Sequence, residues 1–310
     1  MISRADITKA HDRVADHIRR TPVMSFEAGG LGVDCPVWLK LEQTQITGSF
    51  KVRGAFNTML SSDIPEAGVV AASGGNHGAA VAYAATKLGI RSTVFVPKVL
   101  ANEVKLNRMR GFGAKVIVAE GTVGDVMEEY ADHASKTGAL AVHPYDTAPT
   151  LTGQGTIARE IEQQIPNVDT VIIAVGGGGL IGGVASWFAG VANVIAVESE
   201  GTATLNQALA NGLGGDLAVS GVAASSLGAP DIGIMPFEIA QKVIKTNIVV
   251  SDDEVYDAQM SLWNGARIVG EPSAAAAMAA LTTGAYVPAK DETICVVICG
   301  GNVEPNWFIR

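Results

Sequence analysis

Cysteine is scarce in this chain. Cys35, Cys295 and Cys299 make neither an even set nor a metal-spaced pair, which excludes a disulfide framework and predicts a reducing compartment, the cytoplasm. Charge is sparse as well, at 17% of residues, and no basic block interrupts a net charge of −9. Nucleic acid and anionic membrane are therefore excluded as partners. No run of roughly 18 apolar residues suggests a membrane span. The N-terminal MISRADITKAHDRVADHIRR reads as an amphipathic helix and lacks the apolar region of a secretion signal. Aromatic residues make up only 5%, too few for the packing of a β-sandwich.

Glycine is what the chain has in quantity, 36 residues in a sequence that is 48% hydrophobic over 310 positions. This length buries a large core, as two lobes or one large α/β domain. Residues 69–73 (VVAAS) read as a buried strand, followed by a helix from about Asn76 to Leu88 that Gly89 stops. The alternation continues through the strands STVFVP, AKVIVAE and ALAVHPY, with helices starting near Asn102 and Gly124. A second series begins near Leu151: strand TVIIAV, the glycines 176–179, a helix, and strand NVIAVE. A helical stretch over 252–281 is broken at Gly270-Glu271-Pro272, and strand TICVVI leads into Cys299-Gly300-Gly301-Asn302. Such alternation predicts parallel sheets flanked by helices.

Three motifs carry chemistry. Lys51 lies in Gly48-Ser49-Phe50-Lys51-Val52-Arg53-Gly54-Ala55, between an aromatic ring and a glycine-rich turn. A lysine held still and partly desolvated there loses its proton readily and can act as a base or form a Schiff base with an aldehyde. Gly176–Gly179 follow a strand and open a helix, a setting in which bare backbone N–H groups and the helix dipole attract a phosphate. Gly177, Gly179 and Gly182 also fit the dinucleotide fingerprint, with Glu198 about 20 residues on, so both a small phosphate ligand and a dinucleotide remain open. Ser73-Gly74-Gly75-Asn76-His77-Gly78 is a second strand-to-helix turn, rich in donors that suit a carboxylate.

Together with Gly153-Gln154-Gly155-Thr156, Glu271-Pro272-Ser273 and Cys299-Gly300-Gly301-Asn302, these pieces resemble the fold-type II pyridoxal phosphate (PLP) enzymes, the threonine/serine dehydratase and serine racemase branch. The resemblance runs over nearly the full chain and in the family's order. It implies a two-lobed α/β fold like the tryptophan synthase beta subunit, with residues 1–67 and 144–310 as the large PLP-binding domain and 68–143 as a small mobile one. It implies pyridoxal 5'-phosphate as cofactor, a small amino acid as substrate, and a homodimer. It also implies roles. Lys51 would be the catalytic lysine that carries PLP and takes the Cα proton. Phe50 would pack on the ring, Gly176, Gly177, Gly178, Gly179 and Leu180 would bind the phosphate, and Asn76 would face the ring hydroxyl. Cys299 would meet the pyridine nitrogen where relatives often have serine. Ser73, Gly74, Asn76 and His77 would surround the substrate carboxylate. The implied activity is α,β-elimination from a small L-β-hydroxy amino acid, threonine or serine, to a 2-keto acid and ammonia.

The chain departs from its relatives at three points. Serine racemases place a serine, the second acid/base, where this chain has Gly74, so the expectation is weak or absent racemisation. A cation site of some relatives would fall on Glu198, Thr202 and Thr204; a threonine where a carboxylate is needed weakens it, which leaves Glu198 as a poor metal candidate. The chain ends at Arg310, just after the last cofactor motif, so no C-terminal regulatory domain is expected. Alternatives within the family are a serine racemase and lyases of hydroxyaspartate or phenylserine; an NAD-dependent dehydrogenase is the reading outside it. Thr47, Tyr145 and the segment 221–228 are the candidates for the wall around the substrate side chain.

Overall fold

The strands are short apolar runs that lie between helices, so both faces of each sheet are covered. This is the setting in which parallel strands lose their polar alternation. The computed structural model describes residues 2–121, 123–215 and 217–304. Its strands are β1 (Val23–Phe26), β2 (Val37–Leu41), β3 (Val69–Ala72), β4 (Ser92–Pro97), β5 (Lys115–Ala119), β6 (Leu140–Ala141), β7 (Thr170–Ala174), β8 (Asn193–Ser199), β9 (Thr246–Val250) and β10 (Ile294–Ile298). They form a six-stranded sheet in the order β1-β2-β10-β7-β8-β9 and a four-stranded sheet in the order β5-β4-β3-β6. The β1–β2 pair is antiparallel, and the other ladders are parallel. Every residue of β3, β7 and β10 is buried.

The helices are α1 (Arg4–Val14), α2 (Lys51–Leu60), α3 (Asn76–Lys87), α4 (Glu103–Gly111), α5 (Val123–Thr137), α6 (Ala148–Gln164), α7 (Gly179–Phe188), α8 (Thr204–Asn211), α9 (Ala224–Leu227), α10 (Ile234–Val243), α11 (Asp252–Ala266) and α12 (Pro272–Thr282). Among the described residues no helix is long and apolar enough to cross a membrane. The stretch 252–281 breaks as its sequence suggests. Arg267 leaves α11 in the left-handed region at φ 55°, and Pro272 restarts the chain at the first turn of α12, where a missing N–H costs nothing. ALAVHPY gives a shorter strand than its sequence suggests. Only Leu140–Ala141 joins the ladder, because Pro144 has no N–H to offer and the next two N–H groups turn back onto the His143 ring.

The motif Gly153-Gln154-Gly155 is a packing device. A Cβ at Gly153 would lie 2.6 Å from Gly54 Cα, and one at Gly155 would lie 3.0 Å from Gly183 O. Bare backbone thus lets α6 touch α2 on one side and α7 on the other. Helix α2 also faces two ways. Val52, Ala55, Phe56 and Met59 share a core with β3 and α3 of the smaller sheet, while Arg53 points into the larger unit.

There Arg53 joins a fully buried quartet. Its Nε and Nη2 each donate to Glu42 at 2.8 Å, and Nη1 donates to Glu160 at 2.7 Å. Lys40 Nζ donates to the same Glu160 at 2.6 Å and to Thr21 O at 2.8 Å. Two cations meet two carboxylates, so the cluster carries no net charge. The two carboxylates drive the Arg53 guanidinium well above its ordinary range. Replacing Arg53 by Met leaves Glu42 buried without a cation and Glu160 with Lys40 alone. The expected loss is about 3–5 kcal/mol, read as a lower urea midpoint of unfolding; an unchanged midpoint would show that the quartet does not hold α2.

Candidate active site

Parallel strands all present their C-terminal ends on one side, and ligands in open α/β sheets bind there. Here the ends of β3, β7 and β10 open on one cavity of about 420 Å³. After β3 comes the turn Ser73–His77, after β7 the loop Gly176–Gly179, and after β10 Cys299. Lys51, the first residue of α2, enters from the remaining side. The strand-like segment before it is stapled to the end of β10: Ser49 bridges to Gly300, and Phe50 N donates to Cys299 O at 3.0 Å. Phe50, Lys51, Ser73, Gly74, Asn76, His77, Gly176, Gly177, Gly178, Gly179, Leu180 and Cys299 all line the cavity.

The Lys51 ammonium donates to Pro144 O at 2.9 Å and sits 5.2 Å from the Phe50 ring centre. Burial pushes its pKa down to about 8. Its neighbours are held neutral. Burial and the charge of Lys51 bring His77 down to about 3. His77 Nε2 donates to Val142 O at 2.8 Å, and its Nδ1 is a buried acceptor without a partner among the described residues. Burial also lowers His143; its Nδ1 accepts from Asp146 N at 2.8 Å and Tyr145 N at 3.3 Å, so its proton sits on Nε2. Burial raises the Cys299 thiol to about 12, and Sγ donates to Ser273 Oγ at 3.4 Å.

The glycine loop is bare because neighbours occupy the space of each Cβ. At Gly177 a Cβ would lie 2.3 Å from the Tyr145 ring, and at Gly179 2.9 Å from Tyr145 Cα. Gly178 adopts φ 88° and caps α7, and a Cβ there would meet Pro236 at 2.4 Å. Tyr145 is fixed in turn by donating to Asp231 at 2.9 Å. The first N–H groups of α7 are thus presented at the loop with no side chain in the way.

At the opposite turn, Asn76 is held by a network. Its Nδ2 donates to both Glu271 oxygens, at 3.0 and 2.9 Å, and its Oδ1 accepts from Asn302 Nδ2 at 2.6 Å. A Cβ at Gly74 would lie 2.9 Å from Leu100 Cβ, so the position is crowded as well as bare.

Two expectations are corrected. Thr47 does not line the cavity: Gly48, at φ 70°, turns the chain, and Thr47 presents its carbonyl to Arg108 and Asn302 at 2.8 and 2.9 Å. Only the end of 221–228 reaches the cavity, from Ala224 onward, whereas Tyr145 lines it as expected. Glu198 is buried, and its oxygens accept from Leu205 N, Asn206 N and Asn247 Nδ2 at 2.7 to 2.9 Å. It caps α8 and cannot reach a ribose, which removes the physical basis of the dinucleotide reading. The same bonds occupy it as a cation ligand.

His143 and Arg108 escaped the sequence reading, and Glu271 entered it only as part of the motif Glu271-Pro272-Ser273, without a role. His143-Pro144 was the available signal, a strand stopped beside a titratable ring. From the Lys51 environment we expect an amine-reactive aryl sulfonate to modify this lysine with an apparent pKa near 8. The reaction is followed by peptide mapping of the cofactor-free protein; modification only above pH 10, as for a free lysine, would contradict the buried geometry.

Residues 14–300 match the family described as pyridoxal-phosphate dependent enzymes. The chain is 35% identical to the L-threonine ammonia-lyase of Thermotoga maritima, over all of this chain and 78% of that protein. It is 34% identical to a catabolic L-threonine dehydratase of Staphylococcus aureus, over 98% of this chain and 90% of the other. The crystal structure of serine racemase from Dictyostelium discoideum superposes with a TM-score of 0.88 at 32% identity, over 98% of this chain and 99% of that one. With its lysine, glycine loop and carboxylate-type turn gathered at one cavity, this chain belongs to the family of pyridoxal-phosphate dependent enzymes.

Proposed function

We propose that the protein is an ammonia-lyase that converts L-threonine or L-serine to a 2-keto acid and ammonia. The carrying observation is Lys51, a lysine with a depressed pKa at the meeting point of the bare glycine loop and the Ser73–His77 turn. The relatives named for L-threonine support the substrate class.

The residues present fit PLP. Gly176–Gly179 present bare backbone because neighbours already occupy the space of any Cβ, at a helix N-terminus suited to a phosphate. Lys51 supplies the amine, Phe50 a ring face, Asn76 an N–H for the ring hydroxyl, and Cys299 a neutral thiol for the pyridine nitrogen. When bound, the cofactor withdraws electrons from the Cα of an amino acid attached to it.

The protein then directs which bonds break. Ser73 and the backbone N–H groups of the turn at the start of α3 hold the substrate carboxylate. Lys51, with a pKa near 8, is matched to take the Cα proton close to neutral pH. The Cα–H and Cβ–O bonds break, and the hydroxyl leaves as water. Water then hydrolyses the released enamine to keto acid and ammonia. Leu100, Val126, Met127 and Leu227 line the same cavity and give the group on Cβ an apolar wall, which suits the methyl of threonine over the carboxylate of hydroxyaspartate.

The racemase structures keep a second reading in view. Racemisation needs an acid on the face opposite Lys51, and Gly74 supplies none while Leu100 crowds the place where a side chain would stand. We therefore assign elimination, by a cytoplasmic homodimer.

Three measurements test this. Borohydride reduction of the yellow protein should fix the label on Lys51. Lys51→Ala should lower keto-acid formation from threonine by at least about 10³-fold, from the usual worth of a positioned base; turnover at the wild-type rate would refute the assignment. L- to D-serine conversion should be far slower than pyruvate formation, and comparable rates would favour the racemase.

A further inference from the structure

Helix α4, which packs on α3 and β5 of the smaller unit, holds an arginine that no motif singles out. Arg108 is half-buried and donates from Nη2 to Thr47 O at 2.8 Å. The same carbonyl accepts from Asn302 Nδ2 at 2.9 Å, and Asn302 N donates to Glu271 Oε1 at 2.8 Å. Asn76 closes the network through Glu271 and Asn302. Gly48 keeps it open, since a Cβ there would meet Asn302 Oδ1 at 2.2 Å and Arg108 Nη2 at 3.2 Å. A neighbouring tie, from Asn102 Nδ2 to Glu304 at 2.7 Å, keeps α4 against this loop.

We propose that Arg108 is a positioning residue that keeps Glu271 ionised and thereby holds Asn76 in place, across the seam between the two sheets. Glu271 is buried, with 4% of its surface exposed, and a carboxylate there needs compensation. Three hydrogen-bond contacts supply part of it. Burial raises the Glu271 pKa, and the bonds from Asn302 N and Asn76, then the charges of Arg108 and Lys105 of α4, work against that rise; the thiol of Cys299 after β10 also faces it. Of the two cations, Arg108 is the one whose position is fixed by a hydrogen bond into the network. An ionised Glu271 accepts from Asn76 Nδ2 with both oxygens, which fixes the amide so that Asn302 meets its Oδ1. A protonated Glu271 has one good acceptor oxygen and a donor of its own, and the amide loses this unique orientation. The ion thus reaches the cavity through two side chains, Glu271 and Asn76. The inference rests on the proposed role of Asn76 toward the cofactor only for its effect on binding; the ionisation of Glu271 stands apart from it.

The experiment keeps those two apart. In cofactor-free protein, infrared difference spectra with Glu271→Gln as reference identify the Glu271 carboxyl. Wild type and Arg108→Lys should show a carboxylate at pH 7. Arg108→Gln, which keeps a stem and a donor for Thr47 O but no charge, should show a protonated acid that ionises only as pH rises. The PLP dissociation constant of Arg108→Gln should then be about tenfold above wild type at pH 7, the worth of one charge-assisted hydrogen bond. That ratio should fall toward one by pH 9, and it should vanish at every pH when both proteins carry Glu271→Gln. A Glu271 that stays ionised at pH 7 in Arg108→Gln overturns the proposal. If Glu271 protonates as expected while PLP affinity is unmoved, the positioning of Asn76 is refuted. A wild type that binds no PLP refutes the cofactor reading instead, and the infrared result still decides whether Arg108 governs Glu271.

Discussion

The interaction on which the site depends is the buried quartet of Lys40, Glu42, Arg53 and Glu160. It ties the end of β2, the first turn of α2 and the C-terminal part of α6 at one point. Taking four charges out of water is costly, and their mutual attraction offsets that cost only in good geometry. Arg53 meets this condition with a fork of donors that engages both carboxylates. A slide or rotation of α2 would leave a carboxylate buried and alone. The constraint passes directly to the chemistry, because Lys51 lies two residues before Arg53. The lysine side chain moves on a helix end whose position the quartet fixes from behind.

Helix α2 is also where the two sheets meet. Its apolar face completes the core of the smaller sheet, while Arg53 anchors it to the larger unit. Lys51, at the start of this helix, therefore belongs to neither sheet alone. The abundance of glycine and the poverty of aromatics have the same origin. Helices α2, α6 and α7 pack backbone to backbone through Gly54, Gly153, Gly155 and Gly183, and in the loop 176–179 atoms of Tyr145, Pro236 and Leu227 stand where side chains would begin. Large rings in these places would force the helices apart and fill the cavity. Tyr145 is the instructive exception: its ring stands where a Cβ of Gly177 would be.

Much of this was legible in the sequence because it is local. A strand, a glycine turn and a helix start are contiguous in the chain, and the turns at Ser73 and Gly176 and the break at Gly270 follow from a few adjacent residues. The residues around Lys51 were legible for the same reason. Failures came where adjacency misleads or partners are distant. Thr47 is four residues from Lys51, yet the positive φ of Gly48 turns it away. Glu198 ends a strand at the spacing of a ribose ligand, yet the N–H groups of α8 claim it. Arg108 looks like one more exposed charge in the helix KLNRMRG of α4, and only the fold brings it to Thr47 and Glu271, residues far away in the chain.

The electrostatics of the cavity follow a consistent rule. Burial keeps His77 and His143 uncharged, holds Cys299 as a thiol, and leaves the Lys51 ammonium easy to deprotonate. Further fixed cations beside Lys105 would grip a phosphate and a carboxylate firmly, but their field would also lower the Lys51 pKa below about 8 and make the amine a weaker base. Supplying the positive potential from helix N-termini, those of α7 and α3, attracts the same anions through oriented N–H groups with only partial charge. The full positive charge of Arg108 stands one layer back, beyond Glu271. There it is balanced by a carboxylate before its field reaches Lys51, so the lysine can be charged or neutral on demand of the reaction alone.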